Sequence, residues 1–119
     1  MAKEPTPAEM IRFLAVEVMG WRHTGQSFGG VDLYRGGKSC GDFRWKPHLD
    51  GNDMLGLIEA LAKMGLRVMR DTSPAKVGCW HTCRVKRGLT VLGHACLRTT
   101  QLAVTTAAYR AAKAMKENE

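Results

Sequence analysis

The chain has 119 residues, 45% of them hydrophobic and 24% charged, with a formal net charge of +7. That length suits one domain around one core, since domains usually hold about 100 to 150 residues, and the composition is that of a packed globular chain rather than a disordered one. No apolar run reaches the roughly 18 residues a membrane-spanning helix needs.

The opening "MAKEPTPAEM" carries acids and prolines where a secretory leader would carry an apolar stretch, so a cytoplasmic protein is expected. Its four cysteines are expected to stay mostly reduced, without a disulfide framework.

The first predicted element is a helix. Thr6 is a natural N-cap, Pro7 suits the first helical position, and Glu9 completes a Thr-x-x-Glu capping box. Ile11, Leu14, Ala15 and Val18 recur at helical spacing, Arg12 and Glu17 fall on the opposite face, and Gly20 is placed to end the helix.

Between Trp21 and Trp45 six glycines break the chain into short pieces, of which "VDLY" (31–34) and "CGDFRW" (40–45) read as strands. The glycines match neither phosphate-loop pattern, because "GGKS" lacks the upstream glycine, so tight turns are expected.

A second helix follows "WKPHLDGND", capped by Asp50 or Asn52, with Met54, Leu57, Ile58 and Leu61 as its apolar stripe and Gly65 as its stop. The acids at its start do not make a calcium loop: the twelfth position, where a bidentate Glu belongs, is Leu61. "LRVMRD" (66–71) then alternates like a strand, and a hairpin is expected around Arg87-Gly88.

The last helix begins near Thr99 or Thr100. Leu102, Val104, Ala107, Ala108, Ala111 and Met115 share a face whose alanines allow a close approach to a sheet. Residues 1–6 and 116–119 are expected to fray.

The densest chemistry lies in "VGCWHTCRVKRGLTVLGHACLR" (77–98), which holds Cys79, His81, Cys83, His94 and Cys96. A turn centred on Arg87-Gly88 would pair Cys83 with Leu92, His81 with His94 and Cys79 with Cys96, all on one side of the ribbon. Those five are the candidate metal ligands. The spacing Cys79-x-His81-x-Cys83 is that of a strand, whereas structural zinc sites take two ligands from a tight knuckle. The same side would carry Val85 and Leu92, so a core face is preferred, no cofactor is expected, and zinc stays an alternative.

A cysteine–histidine nucleophile would need an orienting third group, and the stretch has no carboxylate, so an enzyme is not expected. Between Leu66 and Arg98 there are seven bases against one acid, Asp71. This concentration favours an anionic partner, with Trp80, Arg84, Lys86, Arg87 and Arg98 as contacts.

The stretches "EVMGWR", "WKPHLDGNDMLGLIEALAKMGL" and "HACLRTTQLAVTTAAYRAAKAM", together with the element order, resemble small bacteriophage and prophage proteins that carry the phage "ABA sandwich" domain. The resemblance covers Glu9 to Met115. It implies one α/β (α+β) domain spanning 1–119, an α/β/α sandwich in which a mixed or antiparallel sheet of about four or five short strands packs with three helices. It carries no activity and no site residues with it.

The expected function is a phage-encoded, non-catalytic accessory protein in the cytoplasm of a bacterial host. It would bind a host or anti-phage-defence protein through the basic hairpin, as monomer or homodimer and without membrane contact. Nucleic-acid binding by the basic 66–98 region is the alternative.

Overall fold

The computed structural model describes residues 5–28, 31–35, 42–72 and 81–117. Helix α1 runs from Pro7 to Glu17. Thr6 caps it as expected: its hydroxyl oxygen accepts from the Glu9 amide at 3.2 Å, while the hydroxyl donates to the Glu9 carboxylate at 3.1 Å. Gly20, at φ 73°, adopts the left-handed conformation that turns the chain out of the helix.

Strands β1 (Arg22–Phe28), β2 (Val31–Arg35) and β3 (Asp42–Arg44) form one antiparallel sheet in the order β1-β2-β3. The sequence marks β2 and β3 but not β1, which is polar up to Phe28 and interrupted by a register shift between His23 and Ser27.

Helix α2, Gly51–Lys63, starts at Asp50, whose carboxylate accepts from the Asn52 and Asp53 amides at 2.8 and 3.2 Å. It ends in a Schellman arrangement: the Leu66 amide donates to the Leu61 carbonyl and the Gly65 amide to the Ala62 carbonyl, both at 3.0 Å. Of the acids at its start, Asp50 therefore serves as the cap, and the Asp53 carboxylate accepts from the Lys46 amide at 3.0 Å.

Strands β4 (Arg67–Thr72), β5 (His81–Arg87) and β6 (Thr90–Leu97) make a second antiparallel sheet in the order β4-β5-β6. The observed class is the expected one, a single α/β domain with three helices. Among the described residues six strands are shared between two sheets of three rather than gathered in one.

Helix α3, Thr100–Glu117, is the centre of the molecule. One side lies on β5 and β6, and α1 and α2 also pack against it. Residues 103–108 are buried without a break, so the helix is covered on nearly all sides, not along one stripe. Thr105 fits that setting because its hydroxyl donates back to the Gln101 carbonyl at 2.8 Å.

One cluster of buried residues runs from Leu14 through Tyr34, Trp45, Leu57 and Leu61 to Val85 and Val104. Two edge-to-face pairs close its margins: Trp21 with Trp45 at 5.1 Å, and Phe13 with Tyr109 at 5.3 Å. The C-terminal end of α3 stays helical through Glu117, with the Lys116 ammonium 2.6 Å from Glu17. Of the ends expected to fray, 1–4 and 118–119 lie outside the described residues.

Candidate partner-binding face

The β5–β6 hairpin turns at Gly88-Leu89, one residue later than expected, with Gly88 at φ 62°. A positive φ at the first central residue only is the type II′ pattern, whose twist matches that of the strands. Arg87 then pairs with Thr90, and Lys86 with Val91.

Beyond Lys86 the register slips. Val85 pairs with Gly93, so Leu92 is an extra residue in β6, a bulge that shifts every later pair by one. Because side chains alternate along a strand, a one-residue shift exchanges the two faces.

This bulge overturns the single Cys/His patch. Cys83 faces Ala95 and His81 faces Leu97, whereas His94 lies opposite Arg84 and Cys96 opposite Thr82. His81 and Cys83 are on the side toward α3. His94 and Cys96 are on the outer side. Cys79 lies outside the described residues. Among the described residues no three His, Cys, Asp or Glu side chains come together as metal ligands.

The cysteines also differ in state. Cys96 is held in a disulfide, which corrects the expectation of reduced cysteines at that position. Its partner lies outside the described residues. The Thr82 hydroxyl, brought beside Cys96 by the shifted register, donates to its sulfur at 3.3 Å.

Cys83 is a free, buried thiol. Burial disfavours its thiolate and pushes its pKa up to about 11, despite the opposing charge of Arg70. At pH 8 in the folded protein, Cys83 is expected to alkylate about a hundredfold more slowly than an ordinary thiol; mass spectrometry after iodoacetamide treatment reads this. A folded pKa above the unfolded one also has a definite sign: the stability held below pH 9.0 declines as pH rises from there toward about 11. Cys83→Ala should flatten that decline in alkaline denaturation curves.

The outer face of β4-β5-β6 is the open one. Its cross-strand rows are Arg67, Lys86 and Val91; then Met69, Arg84 and His94; then Asp71, Thr82 and Cys96. Most of these residues are exposed, and none belongs to the buried core. Three bases stand against one acid. Arg84 approaches Asp71 at 3.8 Å, an exposed pair worth about 0–1 kcal/mol at most. Met69 and Val91 lie 37% and 47% exposed among the bases, and Leu89 projects from the hairpin tip, 96% exposed.

The sequence-predicted contacts divide. Arg84 and Lys86 share this face, and Arg67, in the basic stretch but not singled out, joins them. Arg87 is exposed beside the tip. Arg98 follows the opposite end of β6, about 20 Å along the ribbon from Arg87. Trp80 lies outside the described residues. Alternation from Lys86 back through Arg84, and from Asp71 back through Met69 to Arg67, could have found the set in the sequence.

The α3 side of the same sheet is small and apolar where the helix crosses, through Cys83, Val85, Gly93 and Ala95. At the end near the start of α3 it turns polar, and Nδ1 of His81 lies 3.3 Å from the Thr72 hydroxyl and 3.1 Å from the Thr100 hydroxyl.

No protein-family model and no curated protein sequence matches the chain. Among solved structures the fold is similar to a phage protein from Bacillus cereus ATCC 14579, determined as a 2.0 Å crystal structure. The TM-score is 0.66 at 13% identity, covering 93% of this chain and 96% of that one.

Proposed function

We propose that this chain is a non-catalytic phage accessory protein that binds an acidic protein surface of the host cell or its anti-phage defence. The open face of β4-β5-β6 carries this reading: Arg67, Arg84 and Lys86 stand in adjacent rows with Met69 and Val91 between them.

A purely electrostatic nucleic-acid groove has little use for exposed Met and Val, since phosphate contacts reward bases alone. A protein interface uses both, with apolar contact at its centre and cations setting the partner's charge. The fold likeness to a Bacillus cereus phage protein supports the phage assignment. Bacterial cytoplasm is the compartment this reading assigns, where the Cys96 disulfide departs from the reduced state usual for cytoplasmic cysteines.

The test uses the tagged full chain on bacterial host lysate treated with nuclease, followed by titration against the captured protein. The double reversal Arg84→Glu/Lys86→Glu should weaken that binding at least about tenfold. Unchanged affinity in the double variant removes the face from the interaction. Capture that disappears with nuclease hands the face to nucleic acid.

A further inference from the structure

A recess of about 240 Å³ opens where the ends of β4 and β5 meet the first turn of α3. Arg70, Thr72, His81, Cys83 and Thr100 line it, with Ala103 and Val104 as its apolar floor. The volume falls below the roughly 300 Å³ at which pockets for whole organic ligands begin. It suits one compact polar group.

We propose that this recess binds a tetrahedral oxyanion, a phosphate or sulfate group, held by the Arg70 guanidinium, the His81 ring and the Thr72 and Thr100 hydroxyls. Three elements supply these groups at one place, and the donors outnumber the acceptors. Arg70 sits on the α3 side of β4, directly across from Cys83. Asp71 borders the recess, but its carboxylate is 3.8 Å from Arg84 on the outer face.

The hydrogen bonds of His81 specify how an anion would be received. Nδ1 of His81 stands 3.3 Å from the Thr72 hydroxyl and 3.1 Å from the Thr100 hydroxyl, so the ring and both hydroxyls line one recess. The two hydroxyls rotate to turn their protons toward a bound oxyanion. Among the described residues the charged groups that line the recess are Arg70 and Asp71 from β4, and the start of α3 lines it with Thr100, Ala103 and Val104.

Sulfate is the primary probe, because it is a tetrahedral oxyanion with a fixed charge near neutral pH. At constant ionic strength, sulfate should give saturable amide shifts at Thr72, His81 and Thr100 in two-dimensional NMR. Arg70→Ala should weaken binding about tenfold or more and Arg70→Lys less, and His81→Gln should weaken it as well. Inorganic phosphate and adenosine monophosphate form the two further arms. Equal affinity for both indicates a free ion as the source, and tighter monophosphate binding a phosphate ester.

Absence of saturable shifts from sulfate and phosphate up to about 20 mM would overturn the proposal. So would equal binding by the native chain and Arg70→Ala, each with an unchanged amide spectrum elsewhere. Lys86→Glu alone, which leaves the Arg84–Asp71 pair in place, should bind the anion like the native chain, so this pocket and the outer face fail or stand separately.

Discussion

Replacing Gly93 with alanine is expected to lower the melting temperature by roughly 10 °C or more, from a loss of at least about 3 kcal/mol. A methyl group there would overlap the Ala107 carbonyl oxygen and stand 2.6 Å from the Ala111 amide nitrogen and 3.0 Å from its Cβ. The first two are backbone atoms of α3 and cannot rotate aside. Relief requires the central helix to lift off β6, which would part Val104 and the alanines from Val85 and Ala95. The φ of Gly93 is not in the left-handed region, so space and not conformation makes the glycine necessary. Gly56 provides the opposite sign. It lies within α2 with nothing inside 4 Å of an added Cβ, so Gly56→Ala should stabilise by about 0.5–1 kcal/mol through helix propensity. Thermal unfolding of the two variants reads both outcomes.

Leu57→Ala should cost about 3–5 kcal/mol, against less than about 0.5 kcal/mol for Leu55→Ala two positions away. Leu57 is fully buried in the common cluster, whereas Leu55 is 51% exposed on the outer side of the same helix. Truncating Leu57 removes its transfer free energy and leaves a cavity among atoms that relax only in part. Truncating Leu55 does neither and improves local helix propensity slightly. Urea denaturation with an unchanged m-value would show that only stability differs. Similar losses in both variants would mean that α2 presents a different face to the core.

That contrast was legible in the sequence, since Met54, Leu57, Ile58 and Leu61 form the stripe and Leu55 stands off it. The capping residues were equally legible. Thr6 and Asp50 act on amides two or three residues away, and Gly20 and Gly65 end helices through their own backbone. Local geometry alone decides such features. The near-total burial of α3 was not, because the alanine face shows that a helix can approach a sheet but not that other helices cover its remaining sides. Strand β1 was missed for a related reason: a polar strand with a central irregularity carries neither alternation nor β-branched enrichment.

The candidate face shows where local reading stops. The sequence contained the ribbon, its cations and the alternation that sorts them. It also contained Leu92, but nothing about Leu92 marks it as the residue without a partner across the strand.

By itself, then, the sequence determined one α/β domain, its three helices with their caps, the helix stripes and a basic β-ribbon, because each depends on residues within a few positions of one another. The tertiary structure alone decided which side of that ribbon each histidine and cysteine takes, and that Arg70, His81 and Thr100 share a recess. Register between strands is fixed by how β6 fits beneath α3 at Gly93, a contact between segments more than ten residues apart, and a single bulged residue is enough to exchange the faces.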